Sequence, residues 1–464
     1  MIRFGMALLL ACACASAAPA AAPAAPATQA TPTAAPAPSA APLAPDPAPG
    51  VDGDVTVAAM NGMQILVKRV PGAELVAMQL YIRGGVRNWD RAHAGVEDLA
   101  LSVSTSGGTR KLDKDAFARR LAALGSSLDA SAGNDFSALS AKSLKAHFGE
   151  TFALLADAFL EPALPAAEIE LQRQRQLSQL KHEQEYPDSR LDFLVHQTLF
   201  HDHPYGRRAI GTLETVAKLS AADLSAHLAK LRETSRLLLV VVGDLEAAEV
   251  VAGARRALGH LPRGTYQETQ LPSVKLDRAA LVVVEKKLPT NYIQGVFLAP
   301  GWRDPDFATA MVAMEVLGLR EFEEVRTKRN LSYAAGAFLR SNLAIARGTL
   351  YVTAVDPNAT MEVMLAQARR LQSEPVPAPE LAGDKAVFLT GYLMGSESTD
   401  GQAGLLARAQ LLGGDWHLAR TFPGRVRAVT AGDVQAFARK YIGRLQTVVL
   451  GDPARLNRTL FQSL

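Results

Sequence analysis

The feature that most constrains this chain is a repeat. Leu219-Ser220-Ala221-Ala222-Asp223-Leu224 returns as Val429-Thr430-Ala431-Gly432-Asp433-Val434. Leu239-Val240-Val241-Val242-Gly243-Asp244 returns as Thr447-Val448-Val449-Leu450-Gly451-Asp452. The offsets are 210 and 208 residues, a gap small enough for one loop change. Two matches at nearly one offset argue for an internal duplication. Each copy also mixes hairpin-like strand pairs with long helices. That mixture predicts an α+β fold of two tandem homologous domains, each an antiparallel sheet packed with helices, rather than a parallel doubly wound sheet. The expected domains are 52–264 and 273–464, joined between Pro262-Arg263-Gly264 and Pro272.

Local patterns fill in the first copy. The stretches 63–70 and 75–83 alternate as strands, and Gly84-Gly85 ends the second. A helix is expected over 96–104. Asp113 can cap another, with Phe117, Leu121 and Leu124 on one face and Gly125 as its stop. Gly133-Asn134-Asp135 is a turn between two short strands. Helical periodicity returns over 145–159 and 166–185. Ser220 caps a further helix, and 236–242 reads as a buried strand ending at Gly243-Asp244.

The N-terminus reads as a targeting segment. Arg3 precedes a short apolar run, and Ala15-Ser16-Ala17 is a small-residue cleavage site, so residues 1–17 are expected to be a signal peptide directing export to the periplasm. The run is too short for a transmembrane helix. Leu9-Leu10-Ala11-Cys12 offers an alternative, a lipoprotein signal that would anchor the chain at Cys12. Both cysteines, Cys12 and Cys14, lie here, so cleavage after Ala17 would leave no thiol for disulfides, nucleophilic attack or metal binding. Residues 18–51 are mostly Ala and Pro and read as a linker. With 49 basic against 46 acidic residues, the charge balance does not argue for nucleic acid as a partner.

A set of motifs runs in order through the first copy: Leu80-Tyr81-Ile82-Arg83-Gly84-Gly85, Ala94-Gly95-Val96-Glu97-Asp98-Leu99, Gly107-Gly108-Thr109, Leu124-Gly125, Asn134-Asp135-Phe136, Tyr186-Pro187, His203-Pro204-Tyr205-Gly206 and Gly211. Their order and spacing over residues 55–464 resemble the pitrilysin/insulinase metallopeptidase family, which includes the mitochondrial processing peptidase. Catalytic members of that family carry His-x-x-Glu-His on the helix that follows the Gly matched by Gly95. Two histidines four apart share a helix face and hold zinc, and the Glu serves as base. Counted from Gly95, those positions here are Asp98, Leu101 and Ser102; counted back from Thr109, they are Leu99, Ser102 and Val103. No histidine occurs between His93 and His147, so neither register restores the motif. The third ligand falls at Gln179, with Glu183 and Glu185 nearby. The resemblance therefore implies no cofactor in this chain.

The second copy keeps a different element. Arg326 and Tyr333, in the run 319–333, are similar to the family's Arg-(x)6-Tyr pair. By that resemblance they bind the substrate backbone and stabilise the oxyanion in trans, since an Arg and a phenol donate hydrogen bonds where negative charge develops. Their spacing shares one helix face if the segment is helical throughout; Asn330 could end the helix first. The implied partner is a zinc-bearing homologous subunit, and the implied substrate an unfolded peptide held extended at a sheet edge.

Plainer readings stand beside these. Arg326 could pair with Glu323 or Glu324, and Tyr333 could lie in the core. His201-Asp202-His203 could chelate a metal weakly or form a structural loop. Asp98 could be an exposed helix carboxylate. Ser332 and Ser398 have no triad context. For the whole chain, the alternatives are a non-catalytic assembly subunit, a free-standing peptide-binding protein, and a hydrolase with an unrecognised metal site.

Overall fold

The computed structural model describes residues 49–464; the export-signal and Cys12 readings, and most of the linker, lie outside the described residues. The first copy builds strands β1 (Gly50–Asp52), β2 (Val55–Met60), β3 (Met63–Arg69), β4 (Leu75–Arg83), β5 (Ser127–Ser131), β6 (Phe136–Leu144) and β7 (Leu237–Gly243). The second builds β8 (Ala280–Glu285), β9 (Asn291–Ala299), β10 (Ala335–Ser341), β11 (Ala346–Ala354) and β12 (Gln446–Gly451). The seven-stranded sheet runs β1-β2-β3-β7-β4-β6-β5, and the five-stranded sheet runs β10-β11-β9-β12-β8.

Read from β3 and from β8, the two sheets have the same topology, as a duplication requires. In each, one pair is parallel, β3 with β7 and β8 with β12, and the rest are antiparallel. The parallel strand arrives after a long helical excursion, which is the connection a parallel pair needs. The β1–β2 hairpin is an addition to the first sheet. Gly50 and Val51, assigned to the linker on sequence, pair there with Val57 and Thr56, so strand structure begins two residues before Asp52.

The repeated capping sequences form the same structure twice. Ser220 Oγ accepts the Asp223 N–H at 3.2 Å and the Asp223 carboxylate accepts the Ser220 N–H at 2.8 Å, opening the helix Ala221–Leu231. Thr430 and Asp433 repeat this at 3.2 and 2.9 Å before the helix Ala431–Tyr441. Each box satisfies backbone donors that the first helical turn leaves unpaired. Asp113 likewise caps Lys114–Ala123, its side chain accepting from Ala116 N–H.

The first sheet is apolar on both faces, so both must be covered. Ile65, Val67, Met78, Leu80, Leu239 and Val241 pack against helices of their own half, including Val96–Ser106 and Phe148–Leu160. On the other face, Leu66, Ala77, Leu238, Val240 and Val242 meet Ala403, Leu406 and Ala407, which belong to the helix Thr399–Arg408 of the second half. The loan is mutual. The helix Pro187–Phe200 of the first half brings Leu194 and Val195 into one cluster with Val296, Val448 and Leu450 of the second sheet. Each lent helix is pinned by an Asp in its first turn: Gln79 of β4 donates to Asp400 at 2.8 Å, and the Tyr351 hydroxyl of β11 donates to Asp188. Asp188 and Asp400 stand 212 residues apart, a third correspondence of the repeat. Among the described residues no helix is long and apolar enough to cross a membrane.

Candidate functional site

The second-half helix Phe307–Glu321 widens into a π-helical turn, Phe322–Lys328. Such turns often mark functional positions. Val325 is fully buried and fixes the turn to the core. Asn330 then takes a left-handed conformation at φ 51°, which Asn tolerates better than most residues. Its N–H donates to the Arg326 carbonyl at 3.1 Å, and the Leu331 N–H reaches the Val325 carbonyl at 2.9 Å. This closes the helix before Tyr333, so Arg326 and Tyr333 do not share a continuous helical face. The chain turns instead. Ser332, buried, binds the backbone of Ala334 through its hydroxyl, and Tyr333 points outward with 78% of its surface exposed. Tyr333 is therefore not a core residue.

The turn brings the pair together. The Arg326 guanidinium carbon lies 3.9 Å from the Tyr333 ring centroid and 4.8 Å from that of Phe322. Neighbouring acids are engaged elsewhere. Lys328 lies 3.1 Å from Glu323 and 2.7 Å from Glu324, and Arg329 also binds Glu324. Lys328 and then Arg329 hold the Glu324 carboxyl below its usual range. Among the described residues no carboxylate pairs with Arg326, so the expected alternative of a bond to Glu323 or Glu324 is not formed. The result is a guanidinium stacked on aromatic faces, with its N–H donors uncommitted.

The first half carries the altered metal positions on Val96–Ser106. Asp98 is half-buried, and its carboxyl is pushed up to about 6, by burial first and by Glu97 second. It is not an exposed helix carboxylate. Leu101 is fully buried in the core, as are Leu99 and Val103 of the other register. Ser102 is half-buried and Gln179 is exposed. Across from this helix, Ala166–Glu185 presents Glu168, Gln172 and Gln176. Glu168 accepts from Ser106 Oγ at 2.6 Å, Gln172 donates to Ser106 Oγ at 3.0 Å, and Gln176 donates to the Gly95 and Ile210 carbonyls at 3.3 and 2.9 Å. A leucine, a serine, one carboxylate and an amide do not make a zinc donor set. Among the described residues no cluster of three His, Cys, Asp or Glu is placed to hold a metal ion.

Several motif residues prove to be structural ties that their spacing did not reveal. Glu97, fully buried, accepts from His227 Nε2 at 2.8 Å, from Asn88 Nδ2 at 3.0 Å and from the Ser137 hydroxyl. Its partners lie up to 130 residues away, so only its place in the Gly95-Val96-Glu97-Asp98 motif marked it. His203 does not join His201 in a chelate. Its Nε2–H donates to the Pro272 carbonyl at 2.9 Å and its Nδ1 accepts the Tyr205 N–H at 3.1 Å. His201 pairs with its neighbour Asp202 at the surface. Ser398 caps a helix by accepting the Gly401 N–H at 3.0 Å.

Residues 64–213 match the sequence family described as insulinase, peptidase family M16, and residues 218–387 match the peptidase M16 inactive domain. Three curated relatives are similar to this chain. Subunit 1 of the mitochondrial cytochrome b-c1 complex of Bos taurus is 28% identical over 54% of this chain and 49% of its own length. The mitochondrial-processing peptidase subunit beta of Saccharomyces cerevisiae is 23% identical over 58% and 59%. A non-peptidase homolog of Helicobacter pylori is 25% identical over 58% and 62%. The chain thus spans about half to three fifths of the length of these relatives. In structure, the peptidase M16 inactive domain from Pseudomonas fluorescens superposes with a TM-score of 0.79 at 20% identity, covering 86% of this chain and 98% of that one.

Proposed function

The chain belongs to the insulinase (M16) peptidase family, and from that premise we propose that it is the subunit of a heterodimeric zinc peptidase that holds no zinc and supplies Arg326 and Tyr333 to the peptide bond. The observation that carries this reading is the uncommitted guanidinium of Arg326 stacked on an exposed Tyr333. A partner of the same fold bearing His-x-x-Glu-His would supply the metal-assisted attack on the carbonyl. This chain's part is electrostatic. The N–H edge of Arg326 and the hydroxyl of Tyr333 donate hydrogen bonds to the substrate carbonyl oxygen, most strongly once it carries negative charge. The substrate is an unfolded peptide held extended. β5 supports this, since it is the outermost strand of its sheet and leaves ladder groups unpaired along one side. Export, either by cleavage of residues 1–17 or by the alternative lipoprotein signal that would retain an acylated Cys12, would place the complex in the periplasm.

A second reading is a non-catalytic peptide-binding or assembly protein of the same fold. The match to an inactive domain and the similarity to a non-peptidase homolog favour it. One experiment separates the two. The full chain, tagged at its C-terminus, is recovered from the envelope fraction, and the peptidase activity that comes with it is measured on an unfolded protein. The heterodimer reading expects a similar-sized partner bearing His-x-x-Glu-His, and a loss of about 100-fold in kcat on Arg326→Ala, the scale of removing one oxyanion donor. Recovery of the chain alone, or activity indifferent to Arg326→Ala, leaves the second reading.

A further inference from the structure

We propose that Phe322 is a positioning residue, holding Arg326 so that its N–H edge faces an extended peptide backbone. The inference rests on the reading of Arg326 and Tyr333 given above. An arginine without a carboxylate partner samples many rotamers, and each hydrogen bond it makes must first overcome that freedom. Phe322 and Arg326 lie four residues apart, within reach of each other on one side of the widened turn. The Phe322 ring centroid is 4.8 Å and the Tyr333 centroid 3.9 Å from the guanidinium carbon. Both rings thus lie within cation–π reach of the one guanidinium. Stacking occupies its faces and leaves the in-plane N–H groups for carbonyl or carboxylate oxygens. Phe322 is 42% exposed, which core packing alone does not explain. Lys328 and Arg329 complete the arrangement by drawing off the carboxylates of Glu323 and Glu324 that would otherwise capture Arg326.

The test is a double-mutant cycle on the full chain, read by equilibrium binding of fluorescein-labelled unfolded casein. The Arg326 Nε–H resonance is followed by nitrogen-edited NMR on the same proteins and assigned by its loss in Arg326→Lys. Phe322→Leu is expected to weaken binding about threefold to fivefold, the scale of an exposed cation–π contact. Phe322→Tyr should restore it, and Phe322→Leu should add nothing to Arg326→Ala. The Nε–H proton should lose part of its ring-current shift in Phe322→Leu alone. Unchanged binding in Phe322→Leu, an additive loss in the double variant, or an unmoved Nε–H resonance overturns the positioning role and leaves Arg326 in place. Wild-type binding by Arg326→Ala removes the underlying reading and this inference with it.

Discussion

The hydroxyl of Tyr205 donates to a carboxylate oxygen of Asp135 at 2.5 Å while accepting the backbone N–H of Ala344 at 3.0 Å. The other carboxylate oxygen of Asp135 accepts the Leu343 N–H at 3.0 Å. Tyr205 and Asp135 belong to the first half and the 343–344 loop to the second, and both side chains are buried. Burial pushes the Asp135 carboxyl up, while the Tyr205 hydroxyl and the Leu343 N–H, then the Arg87 charge and the Asn342 side chain, pull the other way. This tie accounts for the Asn134-Asp135-Phe136 and His203-Pro204-Tyr205-Gly206 motifs. They fasten one half to the other.

Tyr205→Phe would leave Asp135 short of one donor and the Ala344 N–H without an acceptor. The expected loss is about 1–3 kcal/mol, the cost of unsatisfied buried polar groups. Urea unfolding measures it through the midpoint. An unchanged midpoint would mean that the tie contributes nothing net.

The exchanged helices make each half depend on the other. Expressed separately, 49–264 and 273–464 would each expose a sheet face that the missing half covers, and both are expected to aggregate or unfold non-cooperatively. Co-expressed, they should purify together with the far-UV circular dichroism of the intact chain. A monomeric, cooperatively unfolding half would show that the helix exchange is dispensable.

Asp98 sets a pH dependence. Its folded pKa of about 6 exceeds the ordinary value of 3.8, so the folded chain binds this proton more tightly. Stability from this group is therefore greatest below pH 3.8 and is lost as pH rises through 6. Asp98→Asn is expected to stabilise the chain by about 1–3 kcal/mol at pH 8 and by less than half as much at pH 4.5. Equal gains at both values, from urea titrations, would assign the effect to something other than ionisation.

Asn330 directs the chain out of the helix and places Tyr333 over Arg326. Asn330→Gly keeps the left-handed turn and should leave stability within about 0.5 kcal/mol, whereas Asn330→Val strains it by about 1–2 kcal/mol. The valine variant should also lose the ring-current shift on the Arg326 Nε–H. A valine variant as stable as wild type, with that shift intact, would show that the cap does not hold the stack.

Much of this architecture is legible in the sequence. The capping sequences at Ser220 and Thr430 and the apolar strands ending at Gly243-Asp244 and Gly451-Asp452 are governed by residues within a few positions of one another. Their rules are local, and the duplication showed them twice. The missing histidines between His93 and His147 likewise excluded the zinc motif on residue identity alone.

What the sequence left open depended on residues far apart along the chain. The exchange of Pro187–Phe200 and Thr399–Arg408 was hidden because their sheet contacts lie in the other half. Glu97 and His227 meet across 130 residues, and Asp135 meets Leu343 across 208. Even within the short segment 322–333, spacing could not say whether Arg326 would pair with Glu324 or stack on Tyr333. The π-helical turn and the left-handed Asn330 decided it, because they bring Tyr333 to the guanidinium while Lys328 and Arg329 hold the acids. Side-chain competition of that kind is settled by which groups the folded backbone brings within reach, and only the tertiary structure determines that.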